Sequence, residues 1–232
     1  MAQIIGLGGF SNSGKSSSLS TLNQDETFII SCTPKQLTIP GFRRKYKKLS
    51  KDSSGNWVGN WYFSNEFTKV DNIFKIVNSK LLNIKVLVID DANYLLSQEV
   101  MTRALEKGYD KHTEMAMHYY NLIMNAMTLR DDLTVIFISH IVNDGNDIDP
   151  KYKFFTTGKL LDRSVNIDGL FNYLLYAEKL EQVDGEPEYK FRTRSLGADT
   201  CRSTKGCFKD LYIEPDMKMV IDTINKFELG EE

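Results

Sequence analysis

The sequence predicts an α/β fold in which a mostly parallel β-sheet is flanked by helices. Apolar runs occur within 4–7, 85–91 and 133–140, and none of them alternates with polar residues. Unbroken apolar runs of this length are typical of parallel strands buried on both faces. Between the first two runs the pattern changes to helical spacing, with an apolar stripe at Val70, Ile73, Phe74, Val77 and Leu81.

The remaining elements follow from shorter patterns along the chain. A β-rich segment at 28–31 predicts a second strand, and the C-terminal third reads as an antiparallel addition. We expect a single domain over 1–232, with a core at about 1–180 and a C-terminal hairpin and helix at about 181–232. The other predicted elements are helices at 15–22, 97–108 and 113–129, strands at 170–180, 189–193 and 208–213, and a last helix opening at Pro215.

Composition excludes several classes of protein. The formal net charge of −2 argues against a general nucleic-acid coat, so DNA contacts must be local. The sequence has no apolar run near the ~20 residues that span a bilayer and no secretory signal at its start. The three cysteines are odd in number and form no C-x-x-C pair. We therefore expect a cytoplasmic protein with reduced thiols and no membrane partner.

The most specific motif is the octet GFSNSGKS at 9–16, which fits the phosphate-binding pattern G-x-x-x-x-G-K-[ST] without a mismatch. The glycines allow the backbone N–H groups to point at a polyphosphate. In such loops the lysine, here Lys15, contacts the β- and γ-phosphates, and the hydroxyl of Ser16 completes a Mg²⁺ shell. The sequence thus predicts a nucleotide site formed by Gly9, Phe10, Ser11, Asn12, Ser13, Gly14, Lys15, Ser16 and Ser17.

A pair of aspartates ends the second apolar run. Ligands bind at the carboxyl ends of strands in open α/β sheets, so Asp90 is placed to join the Mg²⁺ shell as a Walker B residue. Asp91 is either the carboxylate that orients the attacking water, or a helix N-cap or turn aspartate that leads into the next helix. Glu66 and Glu99 are the alternative water-orienting groups.

The third apolar run ends in Ser139 and His140. If this strand lies beside the strand of Asp90, we expect both side chains to face the γ-phosphate and to report its presence to the following loop.

Two segments combine basic residues in ways that suggest phosphate contact. Arg43 and Arg44 begin the densest positive run, which is either a solvated face or a contact with DNA or a neighbouring subunit's nucleotide. The segment 151–159 interleaves basic and aromatic side chains, as single-strand binding surfaces do, although buried aromatics beside surface lysines would give the same pattern.

Taken in order, these stretches resemble the RecA-like P-loop ATPases encoded by phages. More narrowly, the chain resembles single-domain AAA-type ATP-binding proteins found among phage replication and recombination genes, some of which are single-strand annealing recombinases. The resemblance rests on GFSNSGKS, on VLVIDDANYLL at 86–96 and on IFISH at 136–140. It continues through 157–162 and 167–171 to the polar stretch around Thr204 and Lys205.

The resemblance implies a RecA-like P-loop NTPase core that binds ATP and Mg²⁺ and hydrolyses ATP. We expect weak turnover, because no glutamate in the first hundred residues stands out as the catalytic one. It implies single-stranded DNA contact by the loop 141–158 and its neighbours, with Lys151, Lys153, Phe154 and Lys159 as candidates. It also implies a homo-oligomer in which Arg202 or Lys205 reaches the ATP of the adjacent subunit. A single-strand-binding protein or a helicase is the expected protein partner, in the host-cell cytoplasm.

Three other functions remain open from sequence. One is a ring-forming loader or packaging motor acting on duplex DNA or on a helicase, and another is a nucleotide-gated adaptor with little turnover. A small-metabolite kinase is the weakest, because the sequence contains no acceptor-binding motif that we identify.

Overall fold

The computed structural model describes residues 1–146, 148–157, 160–161, 165–182 and 185–231. Within these residues one large sheet contains nine strands in the order β11-β10-β9-β1-β7-β6-β2-β5, with β8 paired to β7. A separate ribbon joins β3 and β4. The strands are β1 (Gln3–Gly9), β2 (Thr27–Ser31), β3 (Ser50–Lys51), β4 (Trp57–Val58), β5 (Trp61–Phe63), β6 (Val86–Asp90), β7 (Thr134–Asn143), β8 (Tyr152–Phe154), β9 (Tyr173–Leu180), β10 (Glu188–Arg192) and β11 (Tyr212–Ile213).

The centre of the sheet is parallel and its rim is antiparallel. β9, β1, β7, β6, β2 and β5 run parallel to one another, whereas β10, β11 and β8 are added antiparallel. The predicted architecture is confirmed in three features: the sheet is mostly parallel, helices flank it, and an antiparallel hairpin follows near the C-terminus.

Helices cover both faces of the sheet because the buried strands are apolar on both sides. They are α1 (Phe42–Lys45), α2 (Phe67–Lys80), α3 (Asn93–Thr102), α4 (Asp110–Met127) and α5 (Met217–Leu229), with short 3₁₀ helices at Ser16–Thr21 and Asp168–Leu170. One apolar cluster joins α2, α3 and α4 to the sheet, and a second joins α1, α5 and Leu19 to its other face. The predicted stripe from Val70 to Leu81 is buried as expected.

Several predicted boundaries are wrong. The helix expected at 97–108 spans Asn93–Thr102, because the backbone N–H of Ala92 donates to the carbonyl of Ile138 in β7 and starts the helix directly after β6. The helix expected at 15–22 is a six-residue 3₁₀ helix. The strand expected at 208–213 is reduced to Tyr212–Ile213.

The last helix begins two residues later than predicted. Its N-cap is Asp216, whose side chain accepts a hydrogen bond from the backbone N–H of Met219. Among the described helices, none is both long enough and apolar enough to cross a membrane.

Candidate functional site

A cleft of about 710 Å³ opens where the parallel strands β1, β6 and β7 end. In the sheet β7 lies between β1 and β6, and its residue His140 is in register with Gly9. The three stretches that the sequence singles out therefore converge at one edge, as expected for a ligand site of an open α/β sheet. The cleft is lined by the stretch 11–18 and by Lys35, Asp91, Tyr94, His140 and Tyr189, among others.

The 9–16 loop has the compact backbone that its glycines predict. A Cβ atom added at Gly9 would lie 2.5 Å from Ser13 Oγ and 2.6 Å from the carbonyl oxygen of Ala177, so only glycine fits. Asn12 and Gly14 adopt positive φ angles of 61° and 88°, which turn the backbone sharply before Lys15. The loop is thus compact, with Gly9 packed closely against Ser13 and Ala177.

Lys15 is buried inside this loop rather than extended into solvent. Its Nζ donates to the carbonyl oxygens of Gly9 at 2.8 Å and Phe10 at 2.7 Å. Burial lowers the pKa of Lys15 to about 8, although the nearby charges of Asp91 and Asp90 oppose the shift. Because burial disfavours the charged form of Lys15, an anion bound beside the ammonium would stabilise that form.

Ser16 and Asp90 come together as the predicted metal pair. The hydroxyl of Ser16 donates to Asp90 Oδ1 at 2.9 Å, and Asp90 is buried. Burial raises the pKa of Asp90 to about 7, with a further contribution from the charge of Asp91. One hydroxyl and one carboxylate fit a Mg²⁺ ion that takes its other ligands from phosphates and water. Neither here nor elsewhere in the described residues do three or more His, Cys, Asp or Glu side chains form a group that could hold a metal ion.

Asp91 is fixed in the cleft by its backbone and by three neighbours. Its φ angle of 59° is left-handed, a conformation that aspartate tolerates better than most residues, and its side chain is buried. Asp91 Oδ2 lies 2.6 Å from Lys35 Nζ and accepts from Thr33 Oγ1 at 3.2 Å. Asp91 Oδ1 lies 3.7 Å from His140 Nε2. Asp91 therefore faces the cleft and does not act as a side-chain cap of α3.

His140 lines the cleft, but Ser139 does not. Successive side chains of a strand point to opposite faces, so only one of the two can face a ligand. Ser139 is fully buried, and its hydroxyl donates to the carbonyl of His140 at 3.2 Å and to Asn93 Oδ1 at 3.5 Å. The expectation that both residues face the phosphate is therefore corrected to His140 alone. Burial lowers the pKa of His140, as does the charge of Lys15.

The side chain of Phe10 points away from the cleft. It is 53% exposed and lines a second cavity of about 590 Å³ behind the loop, where its ring meets Tyr152 edge-on at 5.7 Å. Phe10 thus belongs to the predicted nucleotide site only through its backbone.

The other polar loop residues line the cleft. Ser11, Asn12 and Ser13 line both cavities, and Ser17 lines the cleft and shares a 3.3 Å hydrogen bond with Thr38. Ser13 Oγ is buried and has no hydrogen-bond partner within the described part of the chain. A buried hydroxyl without a partner is costly, and a phosphate oxygen in the cleft would satisfy it.

The two alternatives to Asp91 lie elsewhere. Glu66 caps α2 and pairs with Lys69, and Glu99 on α3 contacts Arg103 and His118. Neither contributes to the lining of the cleft.

The basic segments are only partly available for a nucleic acid. Arg43 and Arg44 are exposed on α1, and Arg43 Nε donates at 3.1 Å to Gln36, which lines the cleft. Lys151 and Lys153 pair with Asp149 at 3.4 Å and Asp144 at 3.0 Å.

The prediction that Phe154 contacts a nucleic acid is wrong. Lys159, another predicted contact, lies outside the described residues. Phe154 is fully buried and packs on Phe171 at 5.5 Å, so its ring is not available to stack on a base. For Phe154 itself, the alternative of a buried aromatic is the one that the structure shows.

The two candidates for contact across a subunit interface differ in their surroundings. Arg202 Nη2 donates to the carbonyl of Asp168 at 2.6 Å, and its backbone pairs with Leu174 in β9. Lys205 is exposed. Arg202 is therefore engaged within its own chain, and Lys205 is the freer of the two to reach another.

Sequence reasoning missed Lys35, Asn93, Tyr94 and Tyr189 as site residues. Lys35 follows Pro34 in a loop after β2, and no motif spacing marks it. Asn93 lies inside the VLVIDDANYLL stretch, which is the one signal that could have indicated it. Tyr189 reaches the cleft from β10, where its ring atom Cδ1 would lie 3.3 Å from a Cβ added at Gly14.

Comparisons with known proteins add no relative to this picture. No protein-family model matches the chain, and no curated protein is significantly similar to it. The function is therefore argued from the geometry of the cleft.

Proposed function

We propose that the chain is a RecA-like P-loop ATPase that binds ATP with Mg²⁺ in the cleft and acts on DNA in phage replication or recombination. One observation carries the proposal: Ser16 Oγ lies 2.9 Å from Asp90 Oδ1, at the mouth of a loop with the P-loop sequence. The motif residues are 74 positions apart in the chain. Their contact is what a shared Mg²⁺ site requires.

The chain's own groups supply the remaining functions. Lys15, which now donates to two loop carbonyls, would turn its ammonium to the β- and γ-phosphates. The hydroxyl of Ser13, which has no partner among the described residues, and the loop N–H groups would accommodate phosphate oxygens. Ser16 and Asp90 would hold Mg²⁺, which when bound neutralises charge on the phosphates.

Asp91 and His140 are the groups placed to act on the attacking water. Asp91 Oδ1 and His140 Nε2 lie 3.7 Å apart, and both residues line the cleft with Lys15. A carboxylate there would orient the water by accepting its hydrogen bond, and His140 would contact the terminal phosphate.

The proposed coupling to DNA runs along β7. His140 belongs to the same strand as Ile141–Asn143, which pairs with β8, and its carbonyl accepts from Phe155 N at 2.8 Å. A shift of His140 on nucleotide binding would therefore move the β7–β8 hairpin, which bears Lys151 and Lys153. This connection would link nucleotide binding to binding or annealing of single-stranded DNA. On the sequence resemblance alone we further propose a homo-oligomer in the host-cell cytoplasm that works with a single-strand-binding protein or a helicase.

The proposal is tested by ATP turnover with no DNA, with single-stranded DNA and with duplex DNA, alongside sizing with and without ATP. We expect slow Mg²⁺-dependent hydrolysis that single-stranded DNA stimulates several-fold, and assembly with ATP. Stimulation by duplex DNA alone, in a ring, would instead indicate a motor or loader.

A nucleotide-gated adaptor is the second candidate, and one observation favours it. Within the described residues Asp91 is the one carboxylate that lines the cleft, and its Oδ2 atom is already engaged by Lys35 and Thr33. ATP binding without measurable turnover under all three conditions would indicate this function.

A further inference from the structure

Lys35 forms an ion pair whose two side chains differ in exposure to solvent. Its side chain is 60% exposed, whereas that of Asp91 is 3% exposed. The carboxylate is fixed by a left-handed backbone, by Thr33 and by the proximity of His140. The ammonium of Lys35 sits on a flexible four-carbon stem. Any exchange of partners in this pair must therefore be made by Lys35.

Lys35 also shares the cleft with the proposed phosphate ligands. It lines the same cavity as Lys15, Ser16 and His140. Lys35 Nζ lies 2.6 Å from Asp91 Oδ2, and Asp91 Oδ1 lies 3.7 Å from His140 Nε2, so a terminal phosphate that contacts His140 would also come close to Lys35. A triphosphate there would present a higher negative charge than the single carboxylate that Lys35 now neutralises.

We propose that Lys35 is a switchable counter-ion that leaves Asp91 for the terminal phosphate of a bound nucleoside triphosphate. This inference rests on the proposed function and deepens it. In the structure Lys35 neutralises Asp91 and lies 2.6 Å from its Oδ2 atom. When Lys35 moves to the terminal phosphate, Asp91 is released to orient water, so Lys35 is a positioning residue for Asp91. A nucleoside diphosphate has no γ-phosphate to attract Lys35, so it leaves the Lys35–Asp91 ion pair intact.

The test compares affinities for the β,γ-imido analogue of ATP and for ADP, each with Mg²⁺, by titration calorimetry. We expect Lys35→Ala to weaken binding of the triphosphate analogue about tenfold, which corresponds to about 1.4 kcal/mol, and to change ADP binding less than twofold. Lys75→Ala is the matched control, because Lys75 is also exposed and ion-paired, to Asp71 at 2.7 Å, but lies on α2. This control should leave both affinities unchanged.

A second comparison separates a phosphate contact from simple unmasking of Asp91. Without Lys35 the bare carboxylate would repel phosphates, which would also lower affinity for the analogue. Lys35→Ala is therefore repeated in an Asp91→Asn background, where no carboxylate can be unmasked. A loss of about tenfold relative to Asp91→Asn alone supports the switch.

No loss in the Asp91→Asn background, or equal losses for ADP and the triphosphate analogue, would overturn it. If the unmodified protein binds neither nucleotide, the proposed function fails as well. If it binds both and Lys35→Ala changes neither affinity, only the switch fails.

Discussion

Asp90 and Asp91 are consecutive buried carboxyl groups, an arrangement that is unfavourable in the absence of a ligand. Asp90 gains one hydrogen bond from Ser16, and the charges of Lys35 and Lys15 assist it, yet burial and Asp91 still raise its pKa to about 7. Metal and phosphate sites commonly carry such a cost because the groups are arranged for the ligand and not for the empty fold.

Replacing Asp90 by Asn should therefore stabilise the ligand-free protein, and more so at higher pH. The folded pKa of Asp90 is raised above its unfolded value near 4, so the favourable contribution of its protonated form is present below pH 4. That contribution is lost as pH rises through 7. The stabilising effect of Asp90→Asn should be larger at pH 8 than at pH 5 by about 2 kcal/mol.

Urea unfolding in metal-free buffer at these two pH values measures the difference. Asp222→Asn on α5 is the control, because Asp222 is exposed and pairs with Lys218. An Asp90→Asn effect that is the same at both pH values, or that follows the control, would contradict the electrostatic description of the site.

At the scale of elements, the junction of β7 with α3 decides where the cleft residues point. Asn93, the first residue of α3, accepts from the backbone N–H of His140 at 3.1 Å through its side-chain oxygen. Ala92 N donates to Ile138 O at 2.8 Å. These bonds fix the end of β7 against the start of α3, and so fix His140 beside Asp91.

Removing this side chain should weaken the fold at the site. Asn93→Ala would leave the backbone N–H of His140 without its partner in a largely buried position, so we expect a loss of about 1–3 kcal/mol in the free energy of unfolding. Asn83→Ala is the control, since Asn83 is an exposed asparagine with one bond to a backbone carbonyl. It should stay within about 0.5 kcal/mol of the unmodified protein. Equal effects of the two changes would show that the junction does not depend on Asn93.

Across the whole molecule, the sequence predicts elements better than it predicts their contacts. The strands of the 4–7, 85–91 and 133–140 runs were predictable because buried parallel strands leave continuous apolar runs. The start of α3 at Asn93 was not, because its first contacts are with β7, which lies 46 residues or more further along the chain.

The candidate site likewise contains residues that the sequence predicts and residues that it does not. Lys15, Ser16 and Asp90 were predictable because phosphate and Mg²⁺ chemistry demands those residue types at fixed spacing. Lys35 was not predictable, since its role arises only from the 2.6 Å approach of its loop to Asp91. The orientation of Ser139 away from the cleft depends on where the strand enters the sheet, a register that the apolar run does not encode.

The central claim is that this cleft binds ATP with Mg²⁺ through the P-loop lysine. The most direct measurement is the affinity for the β,γ-imido analogue of ATP, with Mg²⁺, of the unmodified protein and of Lys15→Ala, with thermal unfolding of both to show that each is folded. We expect measurable binding by the unmodified protein and a loss of at least a hundredfold in Lys15→Ala, or about 2.7 kcal/mol, because its ammonium is the innermost cation of the cleft. Retained affinity in a folded Lys15→Ala protein would contradict the account.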